Sequence, residues 1–324
     1  MKKNLQKVLV LALGLTTTMV TAQDVSINSD TRINQDDKSA NQRLTVGASW
    51  GGSDWGIHAS SDLSYDVATG EVSNSYYEAY VSTDVMGFGT LTIGRQDLSF
   101  GSGTLISSND WNITDRLTTS GADFSANFGG FDINVGTIGG IDHENNENYM
   151  NASGEFGGAT FNVLMMNEGE TSAHGYDLGY SLMGGDLSLS YSMNSDYSEN
   201  EMTVMGASYQ VFDNMSASYS MTSYEGTEGE RFGSAYSNMN NGDWTNGTLG
   251  FQDNGSEVTA MGISYDLGGI DLGYTMYSIS NGDTESDATS ISLGYSLTDN
   301  ASLSLTRMGG DDNEATWITI SIRP

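Results

Sequence analysis

Groups able to do acid–base, nucleophilic or metal chemistry are scarce in this chain. It has no cysteine and three histidines, His58, His143 and His174, with no HExxH-like spacing. His58 shares one strand face with Ser60 and Asp62, the residue types of a hydrolytic triad. On an extended strand, i, i+2 and i+4 side chains stand ~7 Å apart, too far for direct hydrogen bonds. A non-enzyme is expected. Three acid-rich stretches, Asp142–Glu147, Asp283–Asp287 and Gly310–Glu314, carry oxygen ligands suited to Ca²⁺. None has the spacing of a defined calcium loop. No cofactor is expected, and weak Ca²⁺ binding there would only relieve repulsion between acids.

The remaining concentration of functional groups lies in residues 89–118. Arg95 and Arg116 are two of seven arginines in the whole sequence, and they lie near Gln96, Asp97, Asp110, Trp111 and Asp115. Residues 89–97 alternate as a strand, with Leu91 and Ile93 on one face and Thr92, Gly94 and Gln96 on the other. From Ser99 the pattern dissolves into a Gly/Ser-rich run as far as Trp111. Basic and acidic groups held across an opening would impose a transverse field on polar solutes. What holds them there depends on the rest of the chain.

That rest is a succession of alternating segments of about 9 to 11 residues, the length that crosses a bilayer when tilted. In 186–193, 270–276 and 291–297 one face carries Leu, Ile, Tyr or Met and the other Ser, Thr, Gly or Asp. A soluble sandwich would put larger aliphatics inward and use more proline in its joints. This chain has 41 glycines, 17 tyrosines and a single proline, its last residue. A polar, small-residue face suits a wide aqueous lumen, with the apolar face toward lipid. The pattern predicts about 18 strands from 25–33 to 314–322, or 16 if the weakly patterned first strand and region 226–256 are not counted.

The joints divide into two kinds. Tight ones fall at 51–53, 86–89, 128–130, 156–158, 183–185, 212–214, 267–269 and 298–300, where Gly-Gly or Asp-Asn pairs supply the positive φ of two-residue hairpins. The others are polar and mostly longer: 34–42, 66–75, 98–117, 139–145, 168–173, 195–200, 224–256, 280–286 and 309–313. The two kinds alternate along the chain, which predicts an all-β, antiparallel transmembrane barrel with short periplasmic turns and longer outer loops. Residues 98–117 are expected to fold inward, and 224–256 forms the longest outer loop. Aromatics at strand ends, including Phe88, Phe128, Phe156, Phe212, Trp50, Trp55 and Trp317, are expected in interfacial girdles. Parity points His58, Asp62, Glu78, Asp132, Asp186 and Asp271 into the lumen, where carboxylates favour cations over anions.

The N-terminus reads as a secretory signal over residues 1–22. Lys2, Lys3 and Lys7 precede the apolar run Val8–Leu15, and Val20-Thr21-Ala22 offers a cleavage site. The domain expected after cleavage, residues 23–324, holds 8 basic and 42 acidic residues, a formal charge of −34. Such a balance repels nucleic acid and other polyanions.

In its leader, its Gly/Ser/Tyr-rich alternating strands and its FGG turns, the chain resembles the Gram-negative porins. Within that superfamily, Gly94-Arg95-Gln96-Asp97-Leu98-Ser99-Phe100-Gly101, then Leu105-Ile106 and Asp110-Trp111, is similar to a segment of alginate-export-type porins. That resemblance implies an 18-strand barrel and a constriction at this segment. It also implies an arginine-lined lumen for an anionic polysaccharide, from which this chain departs, since its inward positions favour acids. It departs again in ending Ile320-Ser-Ile-Arg-Pro324, without the terminal aromatic usual in porins. Trimers are common among porins, so a homo-oligomer is an implied option. The expected function is passive diffusion of small ions and polar solutes across the outer membrane of a Gram-negative bacterium, with membrane lipid as the surrounding partner. The alternatives are a structural or adhesive barrel acting through its loops, or a saccharide-specific channel.

Overall fold

A computed structural model of the chain describes residues 23–36, 38–107, 116–139, 147–237, 249–310 and 314–324. Eighteen antiparallel strands follow one another round a closed barrel. The first six are β1 Asp24–Asn34, β2 Ser39–Gly51, β3 Trp55–Asp66, β4 Val72–Asp84, β5 Thr90–Gln96 and β6 Thr119–Phe128. Next come β7 Phe131–Ile138, β8 Glu147–Phe156, β9 Ala159–Glu168, β10 Thr171–Leu182, β11 Leu187–Ser195 and β12 Glu201–Phe212. The last are β13 Met215–Glu225, β14 Ser256–Asp266, β15 Ile270–Asn281, β16 Thr284–Thr298, β17 Ala301–Gly310 and β18 Glu314–Ile322. Each strand pairs with its sequence neighbours, and β1 closes the ring on β18 through the register Ser29–Ile322 to Asn34–Trp317. Closure removes both sheet edges, so every spanning strand has its backbone groups paired on both sides.

Side chains sort by parity. Met165, Val135, Leu178, Met205, Met261 and Ile291 stand exposed on the outside, whereas their neighbours Asn162, Leu164 and Met166 on β9 are buried within. On β11 to β17 the inward residues are mostly Ser and Gly, for example Ser190, Gly206, Ser218, Gly262 and Ser292. Small inward residues leave the centre of an 18-strand ring open. At the short-turn end, Phe88, Phe128, Phe156, Phe212 and Trp55 project outward and are half to three-quarters exposed, as an interfacial girdle requires. Trp317 does otherwise. It is 6% exposed and points inward, with the Arg32 guanidinium 4.9 Å from its ring centroid, so parity and not strand-end position decides its place.

The tight turns use two devices. At Gly129–Gly130 both residues have positive φ, 63° and 93°, which matches a primed turn to the right-handed strand twist. The Asp-Asn pairs do not supply positive φ. Instead the ladder slips by one residue at Gln210/Phe212 and at Ser296/Thr298, and a bulge turns the chain. On the other side, strands run further than their apolar alternation does. β16 starts at Thr284 and pairs with Asn281 across Gly282–Asp283, and β10 starts at Thr171 and pairs with Glu168. Above the bilayer a strand has no lipid face to make apolar, while its hydrogen-bond ladder continues. The joints that stay long are 97–118, here the third outer loop, and 226–255, the seventh.

Candidate functional site

One wall of the lumen is built round a bulge. Ala59 pairs with Ala79 and Ser61 with Tyr76, so Tyr77 and Glu78 together oppose Ser60. Two successive side chains of β4 thereby reach the interior. Glu78 lies 3.6 Å from His58, which stacks on Tyr80 and meets Ser49 Oγ at 2.9 Å. The Tyr77 phenol donates to Asp97, and its ring lies under the Arg116 guanidinium.

Arg116 closes the third outer loop onto this wall. Its Nε donates to Asp62 Oδ2 at 2.7 Å and its Nη2 to Asp62 Oδ1 at 2.8 Å. Nη2 also reaches Thr45 Oγ1 at 3.1 Å, and Thr45 in turn donates to Asp62. The side chains are 10% and 3% exposed, so this is a forked, largely desolvated pair that fixes one geometry. Next along the wall, Asp30 accepts from Arg43 at 3.4 Å and from Arg323 at 2.8 Å. Each of these arginines therefore faces a carboxylate.

The adjoining wall, on β6 to β11, has among the described residues amides and carboxylates instead of arginines. Asp123, 5% exposed, accepts from Tyr149 at 2.6 Å and from Asn134 at 3.1 Å. Asn151 donates to Asn162, Asn162 to Asp177, and Ser192 donates to Asp177 at 2.6 Å. The third outer loop crosses to this wall. Ser102 N donates to Asp177 Oδ2 at 3.0 Å, and Gly101 sits with φ of 56° where any Cβ would overlap Asp177 and Asn162. Gly101→Val is therefore expected to unseat the loop without breaking the strand ladder. Single-channel recordings should then show an open current changed by about twofold or more, a loop-scale effect within the strain range of such positions.

The two long loops meet inside the barrel. Ile106 pairs with Tyr236 in a parallel bridge, Ser107 N donates to Tyr236 O at 2.8 Å, and Ser234 Oγ donates to Leu105 O. Leu105, Ile106, Phe232 and Phe251, each 2% exposed or less, pack on Leu164, Met166, Met202 and Tyr224 of the wall. The inward face is thus apolar where loops cover it and polar where water does. Tyr236 and Tyr197 both donate to Glu147, at 2.9 and 3.1 Å. Burial, with the Glu147 charge beside them, pushes both phenols up, so they remain protonated donors.

Of the residues singled out from sequence, His58, Asp62, Glu78 and Arg116 come together. Gln96 is buried on the same wall, and Asp97 joins through Tyr77. Arg95 does not face Asp97: it shares the outer parity of Leu91 and Ile93, and its Nε donates to Tyr77 O and Thr118 Oγ1. Asp132, Asp186 and Asp271 lie toward the short-turn end, on or beside the first inward positions of β7, β11 and β15. Asp110, Trp111 and Asp115 lie outside the described residues, as do 1–22 and most of the acidic stretch 142–147. Among the described residues no three His, Asp or Glu side chains converge as a metal site. Tyr77, Thr45, Asp123 and Asp177 were not anticipated. Period-two parity alone would have found the two aspartates.

No family model matches the chain, and no curated protein matches it in sequence. Solved structures match it in shape. The outer membrane protein OpdK of Pseudomonas aeruginosa has a TM-score of 0.73 at 12% identity, covering 94% of this chain and 99% of OpdK. OccK5 (OpdH) of the same organism gives 0.72 at 12%, over 93% and 98%. The outer membrane protein OprD of that organism gives 0.68 at 10%, over 94% and 95%. The shared feature is the fold, here a closed antiparallel barrel of 18 strands. The alginate-export likeness of residues 94–111 gains no support from these neighbours.

Proposed function

We propose that the chain is an outer-membrane porin that lets small ions and polar solutes diffuse through a lumen narrowed by the third and seventh outer loops, after removal of residues 1–22. The observation that carries this reading is the pair of inward-folded loops, which meet each other inside the barrel and hold to the wall at Asp62 and at Asp177, while the inward faces of β11 to β17 stay lined mostly by Ser and Gly. Pore-constriction roles fall to Arg116, Gln96 and Asp97, with Asp62 and Tyr77 as the residues that hold Arg116. Liposome swelling with a size series of neutral solutes tests it. Small solutes should enter and large ones should not, whereas a folded barrel that admits none would favour a plugged structural protein working through its loops.

A cation bias is part of the proposal. Arg43, Arg116 and Arg323 each face Asp30 or Asp62, so their charge is locally compensated. Asp132, Asp186 and Asp271 take part in none of the ion pairs among the described residues. Uncompensated carboxylates on an aqueous wall raise the local cation concentration. In a KCl gradient the reversal potential is expected to have the cation-selective sign. The triple variant D132N/D186N/D271N should move it toward zero, and anion selectivity in the wild type would contradict the assignment.

A further inference from the structure

Between the descending limb of the third outer loop and strands β6 to β9 lies a cavity of about 620 Å³, open to the lumen. We infer that this cavity is a subsite for a neutral, hydroxyl-rich solute, a saccharide of one or two rings, an assignment that rests on the porin reading and names a solute class for it.

The chemistry of the lining selects the ligand. Asn127 donates its amide to Asp132 Oδ1 at 2.8 Å, and Asn134 gives its amide to Asp123. Asn151 gives its amide to Asn162 at 2.6 Å, and Asn162 gives its own to Asp177. The wall therefore takes up at least one N–H of each of these amides. The amide oxygen of Asn134, the second oxygen of Asp132 and the hydroxyl of Ser153 are left for a solute. Acceptors in excess call for a ligand with several donors. Among the described residues no Lys, Arg or His lines the cavity, so a carboxylate or phosphate would meet like polarity. Phe100 supplies an apolar face, held by packing on Tyr149 at 5.3 Å between ring centroids. A flat C–H face with hydroxyls at its edge matches this arrangement, and the volume lies within the range of small-molecule sites. An organic ammonium ion is the competing donor: it would reach Asp132 and the same neutral oxygens, but it has no flat C–H face with hydroxyls at its edge to lay on Phe100.

The test is block of single-channel current by maltose, added in the millimolar range to the full-length channel in planar bilayers, with ethylammonium as the competing probe. Maltose should reduce the open current in a saturable way. Ser153→Leu, which fills the cavity, should weaken block by about tenfold, judged against that variant's own unblocked current. Should Ser153→Leu not assemble, Asn134→Leu serves the same purpose. A conducting channel that maltose does not block overturns the inference, as does stronger block by ethylammonium or block unchanged in Ser153→Leu. If the barrel conducts no ions, the porin reading itself fails. The subsite is then judged by calorimetric titration of the detergent-solubilised protein with maltose, where binding supports it and no binding overturns it.

Discussion

Phe251→Ala is expected to release the seventh outer loop from the interior and to enlarge the channel. Phe251 is fully buried and packs edge-to-face on Phe232 at 4.9 Å, with Leu105 and Ile106 of the third loop in the same cluster. Truncating a buried phenylalanine costs about 3–5 kcal/mol through lost transfer energy and the cavity left behind. The barrel ladder does not depend on this cluster, so the cost falls on loop docking and not on strand pairing. A penalty of that size raises the undocked population by at least about a hundredfold. Proteolysis within 226–255 should accelerate accordingly while the strands stay protected, and single-channel current should rise. Unchanged protection of this segment would mean that the loop is held by something other than its apolar contacts.

Arg116→Ala should have the second-largest effect. It removes a forked partner from a carboxylate whose side chain is 3% exposed, and it also removes the cation lying on the Tyr77 ring. Breaking one side of a buried pair costs about 3–5 kcal/mol, because the remaining charge stays desolvated. Asp62 then either takes up a proton or draws water and cations into the wall. The expected readouts are a lowered urea midpoint for folding into vesicles and a reversal potential moved further in the cation direction. Arg116→Lys should recover little, since an ammonium cannot fork across both Asp62 oxygens or lie flat on a ring. If Arg116→Lys behaves as wild type, the pair acts only as a point charge and the forked geometry is incidental.

The strands were legible in the sequence because lipid enforces period two on one face, and each of the eighteen lies where the alternation places it. Their outer ends were not legible. At Thr284–Asp287 and Thr171–Ser172 both faces meet water, and the apolar signal ends before the ladder does. Val163–Met166 is an unbroken apolar run in the sequence, and nothing local reveals that Leu105, Ile106, Phe232 and Phe251 come down to cover its inward members Leu164 and Met166. The partner of Arg116 was also hidden. Asp62 is 54 residues away, and their meeting depends on the path of the third loop across β2 and β3, while the bulge at Tyr77–Glu78 supplies the ring beneath. Nearness in sequence suggested Asp97, Asp110 and Asp115 instead. Arg95 shows the converse: its parity was readable from Leu91 and Ile93, and parity governs where it goes.

The central claim is that two inward loops narrow the lumen of this barrel without closing it. The most direct measurement is single-channel current through the purified, folded chain in a planar bilayer. Discrete, reproducible current steps in symmetric KCl, enlarged in Phe251→Ala, are the result expected. A chain that is folded and inserted, yet gives no steps at any voltage, would contradict it.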